Sequence, residues 1–91
     1  AAGLAAVLLF WPGDRAQALL ERGLALSNAG SPAEAARLIE RAVEQARAEQ
    51  APRVEGHALR ALASLRADAK DVAGAEALWA RAADIFTAAE D

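Results

Sequence analysis

The 91-residue chain has no cysteine, no methionine and no tyrosine, and carries one histidine and one lysine, Lys70. Without cysteine there is neither a disulfide framework nor a thiolate metal site. Valine and isoleucine are reduced to Val7, Ile39, Val43, Val54, Val72 and Ile85, too few to build a sheet. Ten basic residues stand against thirteen acidic ones, a formal net charge of −3, and a phosphate-binding surface needs clustered basic residues instead. No Gly-rich phosphate loop, nucleophile elbow or carboxylate dyad occurs. These absences exclude nucleic acid as a partner and leave no catalytic residue, metal ligand or cofactor site to assign. The expected class is therefore non-enzymatic.

What remains is helix-forming. Alanine is close to a third of the chain, and Leu, Glu and Arg supply much of the rest; these residues lose little side-chain entropy in a helix. The length fits one small domain or a slice of a repeat array, with a thin core, since a chain this short buries only about 60–65% of its unfolded surface. The preference for arginine over lysine fits a GC-rich bacterial genome, and a cytoplasmic location is the expectation that goes with it.

Breakers cut the chain into five segments. The apolar run Ala1–Trp11 ends at Pro12-Gly13-Asp14. It is too short to span a bilayer and has no basic leader, so it reads as a core helix, with the stump of a membrane anchor as the other reading. Asp14 is positioned to cap a second helix that reaches about Asn28 and stops at Gly30. Ser31-Pro32-Ala33-Glu34 spells a capping box with proline at the first helical position, opening a third helix to about Gln50. Ala51-Pro52 interrupts, a fourth helix covers Arg53 to about Ala69, and Asp71 caps a fifth ending near Ala89. One face of the third helix carries Ala35, Leu38, Ile39, Ala42 and Ala46. The fourth buries Ala58, Leu59, Leu62, Leu65 and Ala69, and the fifth buries Ala75, Leu78, Trp79, Ala82, Ile85 and Phe86. Short connections make neighbouring helices antiparallel. Phe10 and Trp11 are expected in the core.

The chain repeats itself at an offset of 40. Ala29–Ala42 lies over Ala69–Ala82, matching Ala35 with Ala75, Leu38 with Leu78, Ile39 with Trp79, Arg41 with Arg81 and Ala42 with Ala82. The paired alanines would let helix axes approach closely, with Ile39 and Trp79 filling the gap between hairpins. Carried by Gly23, Gly30, Ala35, Ile39 and Ala42, and then by Leu59, Leu62, Ala63, Asp71, Ala75, Trp79 and Ala82, the chain resembles the tetratricopeptide repeat over about Ala16–Ala89. The 40-residue pitch and the phrase Ala-Leu-Arg-Ala-Leu-Ala-Ser-Leu-Arg-Ala are similar to the helical repeats of large bacterial signal-responsive transcription activators. The resemblance implies an all-α fold of antiparallel helical hairpins stacked as a short right-handed solenoid. Residues 1–13 would be a leading helix and turn, 14–50 the first hairpin and 51–91 the second. Two features depart from the repeat: Arg22 precedes Gly23, and Leu26 and Arg66 stand where a late aromatic is expected.

On the fourth helix His57, Arg60, Ser64 and Asp68 form one polar stripe at i, i+3, i+7 and i+11. In tetratricopeptide hairpins this face lines a concave groove, and Gln17, Glu21 and Asn28 are the counterparts on the second helix. The competing reading is an ordinary solvated face. A lone histidine with no nucleophile or second ligand beside it does not point to chemistry. Leu24 occupies the place where a chaperone-tail clamp needs asparagine, which argues against that ligand. Arg37, Arg41, Glu44 and Arg47 read as surface charges, with Glu44–Arg47 able to pair at i+3.

The expected function is a protein–protein interaction scaffold holding a peptide or protein segment in the groove. The alternatives are a structural or self-associating helical bundle and the soluble repeat domain of a membrane-anchored assembly factor. Two repeats leave open apolar ends, since a solenoid needs caps. The chain thus reads as part of a longer protein, or as one that completes itself by self-association.

Overall fold

The computed structural model describes residues 11–90, so the expected leading helix lies outside the described residues except for Trp11. Four helices follow in order: α1 (Asp14–Asn28), α2 (Pro32–Ala48), α3 (Pro52–Asp68) and α4 (Val72–Glu90). No strand occurs among the described residues. Each helix packs on the next in the chain, and α1 also touches α3.

The three connections are built alike. At the first, Gly30 N–H donates to the Ser27 carbonyl and Ser31 N–H to the Leu26 carbonyl. Gln50 and Ala51 bond back to Arg47 and Ala46 in the same way, and Lys70 and Asp71 to Ala67 and Arg66. This is the Schellman closure, which satisfies carbonyls left free at a helix end. It needs a left-handed residue, with φ 86° at Gly30, 54° at Gln50 and 70° at Lys70. Glycine reaches that region at no steric cost, while Gln50 and Lys70 each carry roughly 1 kcal/mol of backbone strain. The turns recur every 20 residues, and so do the prolines Pro12, Pro32 and Pro52. Pro32 and Pro52 take the first helical position, where a missing N–H costs nothing.

The helix starts differ from the caps expected of them. Ser31 holds the cap position of α2 but makes no side-chain capping bond, so the capping box with Glu34 does not form. Asp14 is the first residue of α1 instead of its cap, and its carboxylate accepts from Trp11 N–H at 3.0 Å. The free amides of α1 find a distant partner: Glu49, just past α2, accepts from Ala16 N–H at 3.1 Å and Arg15 N–H at 3.4 Å. A carboxylate there also meets the positive end of the helix dipole. Asp71 does cap as expected, accepting from Gly74 N–H at 3.0 Å.

The core is small and rich in alanine. Ala16, Ala35, Ala42, Ala46, Ala58, Ala63 and Ala75 are wholly buried, and Ile39 and Leu59 are the largest side chains to be fully enclosed. Each of those two contributes about 1.5–3 kcal/mol of burial. At Gly23 the helices approach so closely that an added Cβ would stand 2.6 Å from Ile39 Cγ1. Gly56 likewise makes room for the Phe86 ring, 2.7 Å from where a Cβ would sit.

Several apolar residues sit elsewhere than expected. Trp11 is 75% exposed, because the turn bonded between Trp11 and Asp14 holds it outside α1. Ala69 is exposed as the residue closing α3, and Leu65 is half-buried. Of the expected α4 stripe, Ala75 and Ala82 are buried, while Leu78, Ile85 and Phe86 are half-buried. Trp79 does not fill an interhelix gap and is 43% exposed. Arg47 reaches across to Glu55 at 3.1 Å instead of pairing with Glu44, and Glu40 pairs with Arg66 at 3.1 Å. Both pairs join α2 to α3.

Candidate functional site

The contact between α1 and α3 sets two polar stripes beside one another. A cleft of about 510 Å3 lies over it, lined by Gln17, Leu20 and Leu24 of α1, His57, Arg60, Ala61 and Ser64 of α3, and Trp79 of α4. Helical spacing explains the selection: 17, 20 and 24 share one face of α1, and 57, 60, 61 and 64 share one face of α3. Leu20 is buried beneath, while Leu24 and Trp79 are each 43% exposed. The cleft therefore combines a partly open apolar surface with polar groups along its sides.

Four of the seven residues expected at the site, Gln17, His57, Arg60 and Ser64, line this cleft. Glu21 joins from the rim, where its carboxylate accepts from Gln17 Nε2 at 3.3 Å. Asn28 and Asp68 stand exposed at the far ends of α1 and α3 and do not line it. The remaining lining is apolar: Leu20, Leu24, Ala61 and Trp79. A search for polar stripes passes over such residues. Leu24 also read only as the loss of an asparagine, and Trp79 as a gap filler.

The polar groups are held to different degrees. His57 stacks edge-on against Phe86, with ring centroids 5.1 Å apart at 64°. Phe86 in turn rests over Gly56, so the absence of a side chain at Gly56 sets where the imidazole stands. The Ser64 hydroxyl donates back to the Arg60 carbonyl at 3.2 Å, a bond internal to the helix that leaves its oxygen lone pairs facing outward. Arg60 has no ion-pair partner among the described residues. The site thus offers one uncompensated guanidinium, an imidazole, an amide, a hydroxyl oxygen and an indole face. That set can hydrogen-bond a carboxylate or backbone carbonyl while covering an apolar side chain.

Two other clefts exist. One of about 590 Å3 is lined by Arg22, Ala25 and Leu26 of α1 with Glu34, Arg37, Leu38 and Arg41 of α2. The second, of about 340 Å3, lies where α2 meets α3. Among the described residues no group of three His, Asp or Glu side chains is placed to hold a metal ion, and no polar side chain is buried.

No protein-family description, no curated protein and no solved structure matches the chain.

Proposed function

We propose that the chain is a tetratricopeptide-like interaction module, a short right-handed solenoid of two helical hairpins that holds a peptide or protein segment in the α1–α3 cleft. The observation that carries this reading is the convergence of Gln17, His57, Arg60 and Ser64, from two helices 40 residues apart, on one cleft with a half-exposed tryptophan. Exposed aromatic and arginine side chains are the residue types that most often anchor protein contacts. The occupant that fits is an extended segment with an apolar side chain for Leu24 and Trp79 and an acidic or carbonyl group for Arg60. The polar side chains all keep contact with water, which suits reversible binding. No helix among the described residues is long and apolar enough to cross a membrane, and we place the activity in the cytoplasm.

The test is selection of binders from a displayed peptide library, followed by affinity measurement on variants. Arg60→Ala and Trp79→Ala should each weaken a selected peptide about tenfold or more. Peptides that tolerate both changes but are lost with Arg37→Ala or Arg41→Ala would move the working surface to the α1–α2 cleft.

A further inference from the structure

The two ends of the described fold carry the two halves of a junction that the chain already makes once inside itself. Where α2 meets α3, the cleft of about 340 Å3 brings Glu40, Val43 and Glu44 of α2 together with Leu59 and Leu62 of α3 and Arg81 of α4. Carboxylates of α2 thus share a largely charged cleft with Arg47 of the same helix and an arginine of α4. Helix boundaries recur at a spacing of 40, with α1 and α3 ending at 28 and 68 and α2 and α4 starting at 32 and 72. Carrying the junction along by that spacing replaces Glu40, Val43 and Glu44 with Ala80, Ala83 and Asp84 on α4. It replaces Leu59, Leu62 and Arg81 with Leu19, Arg22 and Arg41 on α1 and α2. The shift keeps the acid, as Asp84, and keeps the base, as Arg41.

Among the described residues both shifted sets are exposed except Leu19, which is half-buried against the core. Arg22 and Arg41 line the cleft of about 590 Å3 on α1 and α2, whose apolar members are Ala25, Leu26 and Leu38. Neither arginine has an ion-pair partner among the described residues. At the other end, α4 turns Ala80, Ala83 and Asp84 to solvent beside the half-exposed Trp79. A helix face made largely of alanine lets a neighbouring helix approach closely.

We infer that α4 of one copy docks on the α1–α2 cleft of a second copy, head to tail, with Asp84 against Arg41 and Arg22. The contact takes the register of the internal α2–α3 junction but not its ion pairs: Arg47–Glu55 and Glu40–Arg66 shift to Thr87 with Arg15 and Ala80 with Leu26, and Asp84 with the two arginines supplies the charge instead. Because the two surfaces are different, the association does not close on itself by a twofold axis, and copies add into open chains. This inference does not depend on the cleft between α1 and α3.

Sedimentation velocity of the 91-residue chain, from about 10 μM to about 1 mM, tests it over the affinity range of a small interface. The weight-average mass should climb past that of a dimer as concentration rises. Asp84→Arg and Arg41→Asp change exposed positions, so each variant should keep its helical circular dichroism. Each should weaken association about tenfold by setting like charges together. An equimolar mixture of the two should regain the parent behaviour, because each reversed end then meets a complementary one. A monomer mass across the whole range would overturn the inference. So would a mixture that associates no better than either variant alone.

Discussion

The two halves of the molecule, α1–α2 and α3–α4, solve the same packing problem with different residues. In the first, Ile39 is wholly buried against Gly23; its counterpart Trp79 is 43% exposed. Ala16 and Ala46 meet the core in the first half where Gly56 and Phe86 do in the second. Removing one methyl at Gly56 admits an aromatic ring, so the small–small pair becomes a smaller–larger one. The starts of α2 and α4 differ in the same sense: Ser31 makes no capping bond, and Asp71 does. The first half is thus the better closed, and the second keeps its aromatic residues near the surface, Trp79 at the cleft and Phe86 half-buried over Gly56. Equivalent positions in a repeat need equal geometry, not equal chemistry, and the chemistry left over is free for contact.

The largest effects should come from the crossing alanines. Ala35→Leu and Ala75→Leu both overpack sites with no exposed surface and should each cost about 1–3 kcal/mol in denaturant unfolding. A midpoint unchanged in one of them would show that this half does not pack as its counterpart does. The glycines sharpen the comparison further. Gly23→Ala presses on Ile39, which is fully enclosed, and stands 3.3 Å from the Ala35 carbonyl. Its cost should exceed the roughly 1 kcal/mol that alanine gains in helix propensity. Gly56→Ala meets first the ring of the half-buried Phe86, which can swing outward, so the net change should fall within about 1 kcal/mol of zero. It should also shift the His57 ring resonances, because Phe86 holds that ring.

Smaller differences separate the caps. Asp71→Ala should cost about 1 kcal/mol, and Ser31→Ala less than half of that, because only Asp71 makes a side-chain bond to a helix amide. Equal losses would mean that the Ser31 hydroxyl caps in solution. The smallest expected change is a gain: Lys70→Gly relieves a left-handed lysine and should raise stability by about 0.5–1 kcal/mol, while Gly30→Ala should lower it.

Helix positions were legible because their punctuation is local. Gly30, Pro32, Pro52 and Asp71 each act within a turn of chain, and the boundaries fall within two residues of where those signals put them. The buried alanines were legible for a related reason, since the 3.6 period and the 40-residue offset agree on Ala35, Ala42, Ala75 and Ala82. Partnerships between helices were not legible. Glu49 bonding the amides of α1 and Arg47 choosing Glu55 over Glu44 depend on which helix ends meet, and no spacing along one helix encodes that. At the site, the stripe rule found the polar residues nearest the middle of the helices and overran at Asn28 and Asp68. The apolar members of the cleft were hidden because Trp79 looks like core, and Leu24 like a missing asparagine, until the neighbouring helices are placed.

Backbone amide and indole resonances, followed while a selected peptide is added, test the binding cleft most directly. The account predicts shifts clustered at Gln17, Leu20, Leu24, His57, Arg60, Ala61, Ser64 and the Trp79 indole, with Arg22, Leu38 and Arg41 unmoved. Shifts centred on Arg22, Leu38 and Arg41, with Trp79 silent, would contradict it.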